Sequence, residues 1–322
     1  MPAAWRLMLG RWRALNRARV RSLHDEEAPS RNDQYLLYQT LLGTFPAGAA
    51  GAEELAAYRE RIEHYMLKAA REAKAHTSWL NPSAEYEAAL GQFVRAALDP
   101  AHQNPFLDDL RAQARIFAWF GALNSLSMAL IKFTSPGVPD LYQGNEMLDF
   151  SLVDPDNRRA VDYRLREQAL GELDAAASAP GLAAYARSLA ERAQDGRAKL
   201  WVTWRLLEAR RRLPELFRDG GYQPLQVNGP CAEHVLAYAR RCGGNTLVVI
   251  AGRLFAKLIG EAERQPLGEA EWADTTVESG SLAEGQKLTN LLTDETLEPT
   301  GGGIQVARAF ANFPAAALLA GG

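Results

Sequence analysis

The chain has 322 residues, 47% hydrophobic and 23% charged, with a formal charge of -3. That length predicts two domains, or one large and one small, with ample apolar material for buried cores. The near-neutral charge excludes the basic footprint of a nucleic-acid-binding domain. The absence of any run of about 18 apolar residues predicts no membrane span.

Helical periodicity dominates to about residue 214. Trp5, Met8, Trp12 and Leu15 recur at helical spacing and predict a packing face, while Arg6, Arg11 and Arg13 break up any signal-peptide core. Asn32 and Asp33 are cap candidates for a helix over 34–43 that is apolar nearly all round and so predicted buried. Phe45 to Gly51 reads as a connector. An amphipathic helix follows over 52–74, with Leu55, Tyr58, Ile62, Tyr65, Ala69 and Ala73 on one stripe. Further helices are predicted over 84–98, 106–133, 164–174 and 197–213.

Ser135, Pro136 and Gly137 interrupt this pattern, and Val138 to Gln143 reads as a short buried strand. Such a strand needs neighbours for its backbone N–H and C=O groups, and nothing before it supplies them. Its sheet is therefore expected outside this chain. From Tyr222 the period drops to two. Strands are predicted over 222–227, 234–240, 245–253, 275–279, 287–291 and 303–310, with a hairpin at Gly243-Gly244. Cys231 and Cys242 flank one of these strands without forming a disulfide framework, which fits a reducing cytoplasm.

Polar and aromatic groups concentrate at three places. Lys74, His76, Trp79 and Asn81 crowd a helix-ending loop, where an indole offers a flat face to a sugar ring and the others can bond its hydroxyls. The competing explanation is a loop whose Trp packs inward. Tyr142, Gln143 and Glu146 follow the predicted strand, the place where barrel enzymes put their sites, although a simple turn fits equally. Asp154, Asp156, Arg158 and Arg159 suggest a salt-bridged loop. Its Asp-x-Asp spacing lacks the glycine and distal Glu of a calcium loop. His24 and His64 have no metal-ligand partner at a useful spacing. No phosphate loop, dinucleotide fingerprint, nucleophile elbow or zinc spacing occurs, so no cofactor and no metal is expected. Glu146 with Asp149, Asp154 or Asp156 is the one candidate carboxylate pair for a self-contained glycosidase.

The segments NDQYLLYQTLLGTFP (32–46), KAAREAKAHTSWLNPSAEYE (68–87), SPGVPDLYQGNEMLDFSLVDPDNRRAVDY (135–163) and LFRDGGYQPL (216–225) resemble maltooligosyltrehalose synthase in the same order. This α-amylase-superfamily enzyme is an isomerase that turns the reducing-end α-1,4 linkage of a maltooligosaccharide into an α,α-1,1 linkage, in trehalose biosynthesis. The resemblance implies an α/β plus all-β fold. Residues 1–134 would be a helical insertion and the seventh helix of a (β/α)8 barrel. Residues 135–214 would hold the last barrel strand, a loop and closing helices, and 215–322 a C-terminal β-sandwich. The Asp nucleophile, Glu acid/base and third Asp of the superfamily would all lie upstream of Met1, because the His-Asp-Thr-Lys-Arg-like motif carrying the third is missing here. No catalytic residue carries over. Lys74, His76, Trp79, Asn81, Tyr142, Gln143 and Glu146 match segments expected to contact sugar, and Asp154, Asp156, Arg158 and Arg159 a bracing loop. The expected partners are a maltooligosaccharide and the N-terminal half of a synthase. The alternative is a non-catalytic α-glucan-binding or scaffold protein.

Overall fold

Amphipathic stripes and good caps fold most of residues 2–118 into helices. The computed structural model describes residues 2–46, 51–260, 262–280, 282 and 285–321. Its contacts divide into two compact units, Met1–Ala118 with Phe150–Ala160, and Trp119–Asp149 with Val161–Gly322.

In the first unit, α1 (Pro2–Asn16) leads to a hairpin of β1 (Arg21–Leu23) and β2 (Glu26–Ala28). His24 and Asp25 both take positive φ at its two-residue turn, as a primed turn demands. This hairpin was not foreseen, because three-residue strands leave almost no periodic signal. Next come α2 (Arg31–Thr44), α3 (Ala52–Ala73) and α4 (Ala84–Ala97). The first half of α5 (Pro105–Thr134) completes the unit. The start of α2 corrects the expected cap: Ser30, not Asn32 or Asp33, caps it by accepting the Asp33 N–H at 3.2 Å. Asp33 is buried inside the first turn, where its carboxylate accepts the Tyr86 hydroxyl. Leu37, Tyr38 and Leu41 of α2 are buried, whereas Tyr35, Leu36 and Leu42 stay half-buried, so the helix is not enclosed all round. On α3 the stripe is Leu55, Tyr58, Ile62, Met66 and Ala70. It departs from the expected Tyr65, Ala69 and Ala73 because steps of four keep it facing the core. The core centres on Trp12, whose ring meets Tyr38 and Phe106 edge-on at 5.6 and 5.5 Å, while its N–H donates to Asp109 at 2.7 Å. Part of the expected connector, residues 47–50, lies outside the described residues.

The second unit takes up the rest of α5, then α6 (Tyr163–Ala177), α7 (Leu182–Glu191), α8 (Arg197–Arg212) and α9 (Pro214–Arg218). Its strands are β3 (Gly221–Pro224), β4 (Val227–Asn228), β5 (Val235–Cys242), β6 (Asn245–Gly252), β7 (Thr276–Glu278), β8 (Leu288–Asn290), β9 (Thr296–Leu297), β10 (Gly303–Gln305) and β11 (Ala315–Ala320). One antiparallel sheet runs β3-β5-β6-β11-β8-β9 and another β10-β7-β4. Alternation sorts the six-stranded sheet into two faces. Leu247, Val249, Ala251, Ala315 and Ala317 pack with helical residues such as Leu126, Leu130 and Trp201. Val248, Ile250, Ala316 and Leu318 join Val277 and Ile304 of the smaller sheet, with Trp272 and Phe310. Burial on both faces is why β6 and β11 read as apolar runs rather than alternating ones. The β5–β6 hairpin turns at Gly243-Gly244, as expected, with Gly243 at φ 58°.

Two expectations need correction here. Val138 to Gln143 is not a strand; it runs as irregular chain with Val138 94% exposed. Among the described residues no strand lies beside it, and a lone extended segment has no ladder to hold it. Residues 303–310 form a strand only as far as Gln305, after which Val306–Ala309 make one helical turn. α5 is long and apolar enough to cross a membrane by length and composition alone. Its apolar residues are accounted for by packing: Leu107, Leu110 and Ala114 lie in the first unit's core, and Leu126, Leu130 and Phe133 in the second's. Cys231 and Cys242 are free thiols.

Candidate functional site

The loop between α3 and α4 opens where Lys74 takes the left-handed conformation (φ 57°) and closes α3 by donating its N–H to the Ala70 carbonyl. Thr77 is its buried hub. The hydroxyl donates to Glu87 at 2.7 Å and accepts the Ser83 N–H at 3.0 Å. Ser78 and Asn81 tie the tip together, with the Asn81 N–H donating to the Ser78 hydroxyl at 2.9 Å. This tight loop presents Trp79 outward, 58% exposed.

The indole is nevertheless held in place. The Arg71 guanidinium lies over its ring, 4.7 Å from the centroid, and donates two hydrogen bonds to Glu87, at 2.9 and 2.6 Å. A guanidinium locked by a carboxylate fork cannot swing away, so the ring it covers is fixed on one face and free on the other. The Arg71 hydrogen bonds, with a smaller contribution from Thr77, push the Glu87 carboxyl down from 4.5 to about 2. His76 does not share this outward role. Its ring stacks on Tyr86 at 4.7 Å, and its Nδ1 sits 3.7 Å from a Glu26 carboxylate oxygen. The Lys74 and Asn81 side chains are exposed beside the loop.

Also within the first unit, the loop carrying Asp154, Asp156, Arg158 and Arg159 docks on α3. Arg61 donates to both Asp156 oxygens at 2.9 Å and to the Phe150 carbonyl at 3.0 Å. The Leu152 N–H adds a bond to Asp156 at 2.7 Å. Burial alone would raise the Asp156 carboxyl, but these donors outweigh it and hold it below the usual carboxylate range. Lys68 donates to the Asp154 carbonyl, Arg158 pairs with Asp154 at 2.5 Å, and Arg159 with Asp156 at 3.0 Å. Helix and loop enclose a cavity of about 320 Å³ lined by His64, Tyr65, Lys68, Val153 and Pro155 among others.

In the second unit, Tyr142 and Gln143 are exposed at a turn closed by the Asn145 N–H donating to the Tyr142 carbonyl. Glu146 points back into the protein and pairs with Arg166 of α6, which also donates to the Gly144 carbonyl at 2.8 Å. Lys199 of α8 donates to the Met147 carbonyl at 3.0 Å. Burial, and then the charge of Lys132, lower its ammonium from the ordinary value, against the pull of Asp149 and Glu146. Glu146, Asp154 and Asp156 are thus each held by an arginine. For Asp156, whose carboxyl is held low, this opposes service as a general acid, which needs a raised pKa. Among the described residues no group of three His, Cys, Asp or Glu side chains could hold a metal ion.

The positioning residues Arg71, Glu87, Arg61 and Lys68 were not singled out from the sequence. A signal existed: Arg61 and Lys68 stand seven apart on α3 and Arg71 three further, one cationic face of a helix.

No family model matches the chain. It is 34% identical over 250 residues to a Mycobacterium tuberculosis protein that bears the provisional name maltooligosyl trehalose synthase, covering 77% of this chain and 28% of that one. The structure of maltooligosyltrehalose synthase from Arthrobacter ramosus matches 99% of this chain and 35% of its own with a TM-score of 0.74 at 30% identity. A Sulfolobus tokodaii protein described as a hypothetical maltooligosyl trehalose synthase matches with a TM-score of 0.62 at 26% identity, again over 99% of this chain and 35% of its own. The chain therefore spans about a third of the length of the proteins it matches. By sequence and by fold it is a homologue of the maltooligosyltrehalose synthases and corresponds to their C-terminal portion.

Proposed function

We propose that the chain supplies the sugar-holding, non-catalytic part of a maltooligosyltrehalose synthase and works with the N-terminal half of such an enzyme. The observation that carries this is the match over 99% of the chain to a synthase three times its length. In this account the enzyme is an isomerase acting in the cytoplasm, and the nucleophile, the acid/base and the third carboxylate sit on the other half. Residues 1–134 serve as insertion and seventh barrel helix, 135–214 as a closing segment whose stretch from Val138 to Gln143, irregular in this chain alone, pairs as the last barrel strand once the other half supplies its sheet, and 215–322 as a β-sandwich. The paired state of Glu146, Asp154 and Asp156 supports the assignment of catalysis elsewhere.

The chemistry explains why a held sugar matters. Breaking the last α-1,4 bond frees the O4 of the terminal glucose, and forming the α,α-1,1 bond requires attack by the O1 of that same glucose. The released sugar must therefore be retained and turned while water is kept out, otherwise hydrolysis wins. Trp79 is suited to this: one face of the ring is fixed by Arg71, and a pyranose can stack on the other while Lys74 and Asn81 bond its hydroxyls. Tyr142 and Gln143 form a second proposed contact surface within their own unit, with Glu146 orienting the turn through Arg166.

Calorimetric titration of maltohexaose into the chain joined to a synthase N-terminal half tests this directly. Saturable binding that Trp79→Ala weakens about tenfold is expected, in line with a lost stacking contact of about 1–1.5 kcal/mol. Binding indifferent to Trp79 would remove this surface from the account. Saturable binding with no catalysis by the joined halves would favour a glucan-binding scaffold instead.

A further inference from the structure

Away from the Trp79 loop, the first unit holds a cavity of about 610 Å³ lined by Arg13, Arg17, Arg21 and Arg31, with Glu27 as its one carboxylate. Four positive charges against one negative leave an excess of three facing one space. Such a space is about 10 Å across, roughly a Debye length at 0.1 M salt, so salt screens the mutual repulsion of these charges only in part.

Ordinary explanations cover only part of this. Arg13 lies in the last turn of α1 and Arg17 just beyond it, where the negative end of the helix dipole favours cations. Arg21 comes from β1 and Arg31 from α2, so their convergence is not an effect of one helix end. Nor are the charges neutralised within the protein. Arg31 has only a stretched, exposed contact with Glu27 at 3.4 Å. Arg13 donates one Nη2 bond to the Arg31 carbonyl, and its Nε is buried without a partner. Among the described residues Arg17 and Arg21 have no acidic partner. A buried N–H left unbonded is unfavourable, and an acceptor brought by a ligand would recover that loss.

We infer that this cavity is an anion site for a phosphate monoester, independent of the sugar surface proposed above. Guanidinium forks match phosphate oxygens two at a time, and a dianion is the charge that best offsets an excess of three. Ser22 and Gln34, which also line the cavity, offer uncharged groups for the rest of the ligand.

The test is a titration of the chain with inorganic phosphate followed by 31P NMR, at constant ionic strength held with chloride. One saturable site is expected. The double variant Arg17→Ala/Arg21→Ala should weaken it at least tenfold, and both residues are exposed and unpaired, so the fold should survive. Lysine at the same two positions keeps the charge and loses the fork, and should give an intermediate loss. Arg192→Ala, an exposed arginine of the second unit, should change nothing. Non-saturable binding, or a site that the double variant leaves intact or the control weakens equally, would overturn the inference.

Discussion

Arg71 touches Trp79, Glu87 and, through Glu87, Thr77, so the loop surface has a single support. Arg71→Ala should therefore loosen the indole as well as remove a charge. Affinity for maltohexaose is expected to fall about fivefold with Trp79 itself unchanged, and tryptophan anisotropy should drop as the ring gains freedom. Arg71→Lys retains the charge and loses the two-pronged bond, so it should not restore the anisotropy. Glu87 gives the same network a pH signature. Its carboxyl lies lower folded than unfolded, so its contribution to stability is complete above its ordinary value of 4.5 and drains away as pH falls toward about 2. Thermal unfolding followed between these limits should show Glu87→Gln less pH-sensitive than the unchanged chain. Equal pH slopes would mean that the Arg71 fork does not form in solution.

Elements were legible in the sequence wherever a repeating pattern coincided with an element's own burial. α3, α4 and α8 lie within two residues of their expected bounds because each carries a core stripe and a recognisable end. β11 was missed because Ala315–Ala320 has no β-branched or aromatic residue, yet it pairs with β6 and β8 in the middle of the six-stranded sheet. Its strand character comes from neighbours on both sides, information that a local window does not hold. Val138 to Gln143 failed in the opposite sense: its composition suits a strand, but no ladder partner adjoins it among the described residues. The site divided the same way. Trp79 stood out by residue type, while Arg71 and Glu87, sixteen positions apart, meet only through the packing of α3 and α4. Arg240 on β5 is another such case, fully buried and donating to the carbonyls of Thr134, Phe217, Gly220 and Gly221. It ties the end of α5, α9 and β3 to the sheet. Arg240→Met fills similar space and strands those acceptors, so a loss of about 3 kcal/mol is expected by chemical denaturation. A loss below about 1 kcal/mol would mean that water replaces the guanidinium.

At the scale of the molecule, the chain has folded units and a proposed sugar surface, while Glu146, Asp154 and Asp156 are each paired with an arginine. Met128, Val138 and Tyr142 of the second unit are exposed apolar side chains, the kind of surface that the rest of a synthase would cover. Both features follow if the rest of a synthase provides the missing sheet and the reacting groups. The decisive measurement is the loss of reducing ends from maltopentaose, first with this chain alone and then with the N-terminal half of a synthase added. No loss is expected with the chain alone and steady loss once the halves are combined, with retained rather than hydrolysed product. Loss of reducing ends with the chain alone would contradict this and would mean that a working carboxylate pair lies within the chain itself.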